Sequence, residues 1–561
     1  MFIKIFKFIS IILLFYQNPS FSKSTSFNDF SSKTLSNYFS GIVASENKNN
    51  SKALKFFNSS KNLIKEHDPY LKKYVTTLVL EKKVSEAINV IKNNENKDNT
   101  NFFDAHLLII LDNLKKNNIK KAYENLNIAS KFAEQDRLSS AIFEILRQYI
   151  FVFKEKKIID LKKNFGNLSL ISETFQRCYL DDPSTENYFL NLVNKNEADY
   201  SRYLYFYLGY LVQKNRYDEL KYTASKIEYI NSPLLLSQGK SWIENENFKS
   251  FYNVFSCQNH NHIISEFLFL ISNLYSSQDN FERSNFYLYL SNFSNPKFVF
   301  NLSLVAENYY FNEDYKKSKK ILKNFEKENT FYFWFRVKKE AQIIAKQKSE
   351  DESIQFISTQ FDKIDKPNNK MIFDLANFYK NSKDYKKAIK YYSKVIKKLG
   401  NNSEIKSDLL YRRGGSYERI GDYNNADKDL LESLTIDPDD AYVLNYLAYS
   451  WLERDYKIEE AMEMLEAAYA AKSNDPYIID SIGWAHYLVD DFLKAEKYLR
   501  RAVELMPDDP IVNDHYGDIL WKLDQKIQAR YFWKNVLKME DAEEEMINKI
   551  NLKLIEGPKS S

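Results

Sequence analysis

Glycine and proline are scarce in this sequence, with 11 of each among 561 residues, or about 4% together. Average usage of the two is about 12%. Sandwiches, barrels and propellers need a turn residue every 8 to 12 positions, and phosphate-binding loops need several glycines. The scarcity therefore argues against those β folds and against nucleotide-binding loops. Hydrophobic residues make up 44% of the chain, including 41 Tyr and 41 Phe, which is enough for a packed helical interior.

Cysteine is nearly absent, with only Cys178 and Cys257 in the chain. A disulfide requires α-carbons within about 7 Å of each other. The two positions lie more than two helical repeats apart along the chain, so we expect two separate, mostly buried thiols. No cysteine lies near the amino terminus, so we expect no lipid anchor.

Long apolar runs are also missing after the first 16 residues. Lys4 and Lys7 precede an apolar run from Phe8 to Tyr16, and small residues follow around Ser22. This order is typical of a secretory signal, and a run of nine residues is too short to span a bilayer as a helix. We expect residues 1–22 to be a signal peptide cleaved after Ser22, although retention as an anchor stays open, and residues 23–35 to be a loose leader. The expected location is the periplasm.

A repeat of about 34 residues runs along the chain. The clearest sets of recurring residues are Leu410, Gly414, Tyr417, Ala426, Leu430 and Pro438; Leu444, Ala448, Trp451, Ala461, Leu465 and Ser473; Ile479, Gly483, His486, Ala495, Leu499 and Pro507; and Asn513, Gly517, Leu520, Ala529 and Trp533. Apolar residues three or four apart, a break and a second such run predict two helices in each set. The small residue of the first helix and the alanine of the second are expected where two backbones come close.

One marker position extends this pattern towards the amino terminus. The marker residues are Ala53, Ala87, Ala122, Leu220, Phe251, Ser284, Ser318, Ser353, Ala388, Ala426, Ala461, Ala495 and Ala529. The step of 98 residues from Ala122 to Leu220 is interpreted as three repeats, which makes the mean spacing 34.0. The period fades between about 135 and 200, where we expect a degenerate junction between two arms.

These residues resemble the tetratricopeptide repeat family, whose period is 34 residues. Asp475–Trp484, Asn513–Trp521 and Ala529–Trp533 are similar to envelope tetratricopeptide proteins of Gram-negative bacteria, some of which are lipoprotein adaptors for carboxy-terminal processing proteases. The resemblance implies an all-α, right-handed superhelical solenoid of about 14–15 helical hairpins. We divide it into a degenerate array over 36–200, a middle array over 201–400, a well-formed array over 401–540, and a capping helix and tail over 541–561.

Residues for catalysis or metal binding are few. No HExxH, GxSxG or GxxxxGK[ST] motif occurs. Cys257, His260 and His262 lie within six residues and have zinc-ligand chemistry, but a fourth ligand is not evident. The alternative to a zinc site is that this segment is a polar link that leads into a helix at Ile263. We expect no catalytic residue, metal or cofactor.

The predicted inner wall of the carboxy-terminal array is the candidate site. In this family the first helix of each hairpin lines the concave face, which places there Tyr411, Asn445, Tyr449, Asp480, Trp484, Tyr487, Asp514, Asp518 and Trp521. Tyr and Trp are enriched in interface hot spots. The aspartates match the charge of residues 401–561, where 20 Lys and Arg face 33 Asp and Glu for a net −13. Because these aspartates would repel a carboxylate, we expect this arm not to bind acidic carboxy-terminal tails.

Three functions remain open on these residues. The first is a non-catalytic exported adaptor that binds protein or peptide partners, among which an envelope protease is suggested by the resemblance. The second is a chaperone-like assembly factor for envelope proteins, and the third is an enzyme whose site has no recognisable motif.

Aromatic stretches such as Tyr203–Tyr210 contain enough aromatic side chains to suggest stacking on nucleic-acid bases, but aromatics at helical spacing are usually core. Nucleic acid is therefore not an expected partner, and the oligomeric state stays open.

Overall fold

The computed structural model describes residues 31–65, 67–94, 100–133, 137–158, 164–194, 201–326, 329–399, 404–539 and 541–558. The predicted signal peptide and most of the predicted leader lie outside these residues. The described residues form thirty α-helices and no strand, in agreement with the predicted all-α helical-repeat solenoid. None of these helices has the length and apolar character needed to span a bilayer.

The chain divides into two compact units. Unit 1 comprises the described residues up to Ile227 together with Pro233–Arg336, and unit 2 comprises Glu228–Ser232 and the described residues from Val337 onward. The division lies inside the interval 201–400 that the sequence analysis assigns to a middle array.

The helices of unit 1 are mostly short and paired into hairpins. They are α1 Ser32–Glu46, α2 Asn50–Asn58, α3 Asp68–Leu80, α4 Val84–Lys92, α5 Phe103–Lys115, α6 Ile119–Ala129, α7 Arg137–Glu155, α8 Asn167–Leu180, α9 Thr185–Val193, α10 Ser201–Gln213, α11 Tyr217–Ser225, α12 Leu234–Glu244, α13 Lys249–Val254, α14 His260–Ser276, α15 Phe281–Ser294, α16 Leu302–Phe311 and α17 Tyr315–Leu322.

Unit 2 begins within α18 and has the more regular hairpins. Its helices are α18 Thr330–Gln347, α19 Glu350–Phe361, α20 Asn369–Asn381, α21 Tyr385–Ile396, α22 Glu404–Arg419, α23 Tyr423–Ile436, α24 Ala441–Leu452, α25 Ile458–Ala471, α26 Pro476–Leu488, α27 Phe492–Leu505, α28 Pro510–Lys522, α29 Lys526–Val536 and α30 Glu544–Glu556.

All thirteen marker residues are buried on the second helix of a hairpin, none more than 2% exposed. The small residues of the first helices are equally constrained. A Cβ on Gly414 would lie 3.3 Å from the Ala426 carbonyl oxygen, and one on Gly517 would lie 2.3 Å from Trp533 Nε1. The predicted close approach of the two helices is therefore confirmed.

Aspartates set the register of the carboxy-terminal hairpins. Asp440, Asp475 and Asp509 cap α24, α26 and α28, and each side chain accepts hydrogen bonds from two backbone N–H groups of the first turn. Such caps satisfy the donors that a helix start leaves unpaired. Because the three caps are equivalent, side chains at the same distance from each cap lie in matching positions.

The region of the faded period contains an odd number of helices. Between α6 and α10 the described residues form α7, α8 and α9, whereas complete hairpins require an even number. The expected filling of the 98-residue step by three repeats is therefore wrong for the described residues. After α9 the markers fall on odd-numbered helices instead of even-numbered ones.

The expectation of two separate thiols is also wrong. Cys178 and Cys257, which are 79 positions apart in the sequence, form a disulfide with their α-carbons 5.6 Å apart. Sequence separation was a poor guide because α8, which carries Cys178, packs against α14. The irregular helices of unit 1 thus bring together segments that a simple stack would keep apart.

Aromatic residues account for much of the core of unit 1. In the stretch from Tyr203 to Tyr210, the side chains of Tyr203, Tyr205, Phe206 and Tyr207 are at most 4% exposed, and Tyr210 is 8% exposed. The interpretation of these aromatics as core is confirmed.

Candidate functional site

The first helices α24, α26 and α28 present one common face. Residues at the second, fifth, ninth and twelfth positions after each capping aspartate share that face, because a helix turns once in 3.6 residues. We call this surface the first-helix wall. It consists of Tyr442, Asn445, Tyr449 and Leu452 from α24; Tyr477, Asp480, Trp484 and Tyr487 from α26; and Ile511, Asp514, Asp518 and Trp521 from α28. Helix α26 contacts both α24 and α28.

Eight of the nine predicted site residues lie on this wall, and Tyr411 lies on α22, next to it. Asp480, Tyr487 and Asp518 are buried, and the other six are half-buried. Tyr411 packs edge-on against Tyr446 of α24, with ring centroids 5.7 Å apart. The predicted residues therefore also join one repeat to the next.

Trp484 stands at the centre of the wall between two other rings. It stacks on Tyr487 at a centroid distance of 4.6 Å and on His515 of the next repeat at 4.1 Å. Its Nε1 donates a hydrogen bond of 2.8 Å to Glu453 Oε1. Both flat faces of the indole are thus used inside the protein, and its orientation is held by contacts from both neighbouring repeats.

Asp480 and His515 form a buried pair across α26 and α28. His515 Nδ1 lies 2.8 Å from Asp480 Oδ2. Burial alone would lower the pKa of His515, but the carboxylate of Asp480 outweighs it and the pKa is raised. The pair therefore favours a protonated imidazole inside the wall.

Helix α30 supplies a cation to the last repeat. Lys553 Nζ lies 2.7 Å from Asp514 Oδ1 and 2.7 Å from Asp518 Oδ2. Burial, together with the nearby Asp514 charge, raises the pKa of Asp518 to about 6 although Lys553 opposes the rise. Burial alone would lower the pKa of Lys553, yet these two carboxylates raise it. Two of the predicted aspartates are thus engaged by the protein's own carboxy-terminal helix.

Trp521 is covered by the same helix. A Cβ on Gly557 would lie 2.5 Å from the indole of Trp521, and the φ of +83° at Gly557 suits glycine. The indole also packs against Trp533, with centroids 5.4 Å apart, and lies under the Arg530 guanidinium at 4.8 Å. Trp521 thus packs against α29 and against the residue that follows α30, and the capping role of residues 541–561 stays a prediction.

Sequence reasoning missed an exposed column at the start of the wall. Tyr442, Tyr477 and Ile511, two positions after each capping aspartate, are 46%, 59% and 50% exposed. The signal was present as an aromatic or aliphatic residue at a constant distance from Asp440, Asp475 and Asp509. His515 and Lys553 were also missed, because neither belongs to the repeat consensus.

Unit 1 contains a basic cavity of about 730 Å³. Its lining includes Lys48, Lys82, Lys316, Lys317 and Lys320, together with fewer acidic side chains. Lys317 is paired with Asp314 at 2.8 Å. Unit 1 therefore differs in local charge from the acidic wall of unit 2.

The Cys257–His262 segment is used for structure. Cys257 is in the disulfide, His260 Nε2 lies 2.9 Å from the Leu114 carbonyl oxygen, and the Ser256 N–H donates to His262 Nδ1. Helix α14 begins at His260 after the cap Asn259, three residues before the expected start at Ile263. Among the described residues no group of three or more His, Cys, Asp or Glu is placed to hold a metal ion.

Comparisons with known proteins agree with the repeat pattern. The tetratricopeptide repeat model matches residues 370–397 and 407–440. The TPR repeat-containing protein PA4667 of Pseudomonas aeruginosa is 35% identical over 111 residues, which cover 20% of this chain and 19% of that protein. The chain thus spans about a fifth of the length of this curated relative.

Several solved structures are similar over about a third of this chain. MamA of Desulfovibrio magneticus is 19% identical with a TM-score of 0.27 and covers 31% of this chain and 97% of its own. TTC0263 of Thermus thermophilus is 16% identical with a TM-score of 0.30, covering 33% and 99%. PilW, a type IV pilus biogenesis factor, is 19% identical with a TM-score of 0.30, covering 33% and 84%. From the repeat period, the buried markers and the family match, this chain is an all-α helical-repeat protein with tetratricopeptide repeats at residues 370–397 and 407–440.

Proposed function

We propose that this protein is a non-catalytic, exported adaptor that binds a protein or peptide partner on the first-helix wall of unit 2. Stacked tetratricopeptide hairpins are suited to protein–protein interaction, because they present an extended surface on a rigid frame. The finer parts of the proposal are that the partner is a component of the cell envelope and that the complex serves envelope proteolysis or assembly.

The exposed column of the wall carries the proposal. Tyr442, Tyr477 and Ile511 are about half exposed in three consecutive repeats, beside the half-buried Trp484. Tyrosine combines apolar area with a hydrogen-bonding tip, and such residues at the centre of an interface carry much of its binding energy. The wall therefore presents exposed apolar side chains next to buried and half-buried acidic ones.

Two features support export. The order of charged, apolar and small residues in 1–22 is that of a secretory signal. The disulfide between Cys178 and Cys257 is of the kind that persists in oxidising compartments, which include the bacterial periplasm. A mass measurement of the amino terminus tests this part: cleavage after Ser22 is expected, and a retained Met1 would contradict it.

The partner is sought by site-specific photo-crosslinking in cells. A photoreactive residue replaces Tyr477 on the wall. In the control, the same photoreactive residue replaces Leu493, which is 81% exposed on the second helix α27. We expect one stoichiometric folded partner from position 477 and none from 493. A heterogeneous set of clients from position 477 would instead favour the chaperone-like assembly factor.

Substitution then tests the wall with the captured partner. Tyr477→Ala and Trp484→Ala are each expected to weaken binding by about 2 kcal/mol, the size typical of a hot spot. Leu493→Ala is the matched control and should change binding by less than about 0.5 kcal/mol. Equal binding by all three variants would remove the wall as the partner site.

A further inference from the structure

Besides the exposed column, three other side chains form a second column across the wall, which consists of hydrogen-bond acceptors. Asn445, Asp480 and Asp514 each lie five positions after the capping aspartate of their helix. Asp514 accepts a hydrogen bond from Lys553. Asp480 Oδ1 and Asn445 Oδ1 are buried and accept no hydrogen bond from the residues that the structure describes. The column is therefore satisfied at one end only.

Asp480 is the more informative of the two unsatisfied acceptors. Its side chain is only 8% exposed, and its other oxygen pairs with His515. Buried acceptors in native proteins are almost always paired, because removing them from water without a donor is costly. A buried carboxylate oxygen without a donor, repeated as an amide oxygen in the preceding repeat, indicates that a donor arrives from elsewhere.

The electrostatic surroundings favour a cation as that donor. Burial raises the pKa of Tyr449, which lies nine positions after its cap, and the charges of Glu453, Asp480 and Asp514 raise it further, while Arg419 opposes them. The charges that act on the Tyr449 hydroxyl are thus mostly negative, and Asp480 is among them. Negative potential attracts and orients a positively charged side chain.

Lys553 shows the chemistry at the neighbouring position. Its ammonium enters from α30 and bridges Asp514 and Asp518, both of which are on the wall. The column is thus built to accept an ammonium from a helix lying against it. Tyr449 and Trp484 lie at matching positions of α24 and α26, and their apolar rings suit the stem of a lysine or arginine.

We propose that the partner inserts a lysine or arginine side chain beside Lys553, where its N–H groups donate to Asp480 Oδ1 and Asn445 Oδ1. This inference rests on the proposed function and names the chemistry of the partner segment: basic, with apolar residues to cover Tyr442 and Tyr477. The column is then satisfied in all three repeats, twice by the partner and once by α30.

The experiment uses the full chain and a displayed library of random 12-residue peptides. Peptides retained by the protein are sequenced, and the best is synthesised with a fluorescent label for anisotropy titrations. We expect lysine or arginine to be enriched at one fixed position, and replacement of that residue by Gln to weaken binding at least tenfold.

Three variants locate the contact. Asp480→Asn keeps the size of the side chain and removes its charge, so it should weaken binding of the labelled peptide at least tenfold. Asn445→Asp adds a carboxylate to the column and should tighten binding several-fold. Asp524→Asn changes an exposed acid outside the wall and should leave binding within twofold. Melting curves confirm that each variant is folded, and Asn445→Asp gives an answer even if Asp480→Asn is unstable.

The possible failures can be told apart. Peptides that lose binding with Trp484→Ala but show no basic residue, and bind Asp480→Asn normally, would overturn this inference and leave the proposed function standing. The proposed function would fail, and this inference with it, if no peptide bound and the crosslinked partner were insensitive to the wall variants. A synthetic peptide of residues 1–30 that displaced the labelled peptide would identify a segment of the chain itself as the occupant of the wall. That result would also overturn the inference.

Discussion

Units 1 and 2 are built from the same kind of helical hairpin but are held together differently. In unit 1 the early hairpins pack against much later ones: Arg283 makes two 2.7 Å bonds to Asp104, and Lys115 Nζ donates to the Phe293 carbonyl oxygen. In unit 2 most of the contacts between hairpins join consecutive repeats, as between Trp484 and His515. A helical hairpin therefore does not by itself determine a simple stack.

The difference follows from the regularity of the repeats. Unit 2 has alanine at most marker positions and equivalent aspartate caps on its later first helices, which favours equivalent packing of one hairpin against the next. Unit 1 has Leu220 and Phe251 at marker positions and an odd helix among α7–α9. Larger side chains at the closest approach change the packing, and the free faces of the helices are then buried against distant ones.

The wall of unit 2 buries charge differently from the arginine–carboxylate pairs of unit 1. Unit 1 contains buried arginine–carboxylate pairs, such as Arg202 with Glu266, whose side chain is 1% exposed. The wall of unit 2 contains carboxylates that exceed their cations, with Lys553 and His515 as counter-charges. Both carboxylate oxygens of Glu266 accept hydrogen bonds from Arg202, whereas Asp480 Oδ1 of the wall has no donor among the described residues.

Removing the disulfide should give the largest difference between the units. Cys178→Ala/Cys257→Ala is expected to lower the stability of unit 1 by about 4 kcal/mol, because the bond closes a loop of 79 residues in the unfolded chain. Hydrogen exchange followed by mass spectrometry should show lost protection in unit 1 and unchanged protection after residue 404. Equal loss in both units would contradict their separation.

Removing the cation of the wall should affect unit 2 alone. Lys553→Met leaves Asp514 and Asp518 buried without a counter-charge and should cost about 3 kcal/mol. Lys549→Met is the control, because Lys549 forms only an exposed pair with Glu545 on the same helix and should cost less than about 0.5 kcal/mol. Similar unfolding midpoints in urea for the two variants would show that the contacts of Lys553 with Asp514 and Asp518 contribute little to stability.

Adding one methyl group to a first helix should have opposite effects in the two units. Gly517→Ala places a carbon 2.3 Å from the buried Trp533 and should cost about 1–2 kcal/mol in unit 2. Gly209→Ala in unit 1 meets only Phe251 at 3.5 Å and should stabilise its helix by up to about 1 kcal/mol. Thermal unfolding of both variants tests this, and destabilisation by Gly209→Ala would contradict it.

The smallest expected effect is an opposite response to pH. The folded pKa of His262 in unit 1 is lowered by burial to about 4, so its contribution to stability is present above pH 6.5 and is lost as the pH falls towards 4. The pKa of His515 in unit 2 is raised, so its contribution is present below pH 6.5 and is lost as the pH rises through the folded pKa.

Hydrogen exchange at pH 5.5 and pH 8 checks this response. Protection around α14 should increase from the lower to the higher pH after correction for intrinsic rates, and protection around α28 should decrease. Substitution of each histidine by Gln should remove the trend in its own unit only. A trend that survives both substitutions would assign the pH dependence to other groups.

Much of the repeat architecture was predictable from residue spacing. The marker positions and the two helices of each hairpin are local features, so Ala495 could be interpreted without knowledge of the rest of the chain. The disulfide was missed because it depends on α8 packing against α14, which no local pattern encodes. The odd helix among α7–α9 was missed because a lost period indicates irregularity without showing its form.

The candidate wall was predicted only in part. Spacing assigns the aspartates and tryptophans to one helix face, because helical periodicity determines which side chains share a face. It could not show that Asp514 and Asp518 are held by Lys553, or that Trp521 is covered by Gly557. Those contacts come from α30 and the residue that follows it, which lie outside the repeat pattern.

The sequence alone therefore determined the hairpin, its period and the residues at its closest approach, since these depend on interactions between residues near one another in the chain. Only the tertiary structure decided which hairpins meet at long range, which of the wall's charges are neutralised from within, and which acceptors remain without a donor. The physical reason is that helix formation and pairing are local, whereas burial and charge compensation depend on every segment that reaches the same place.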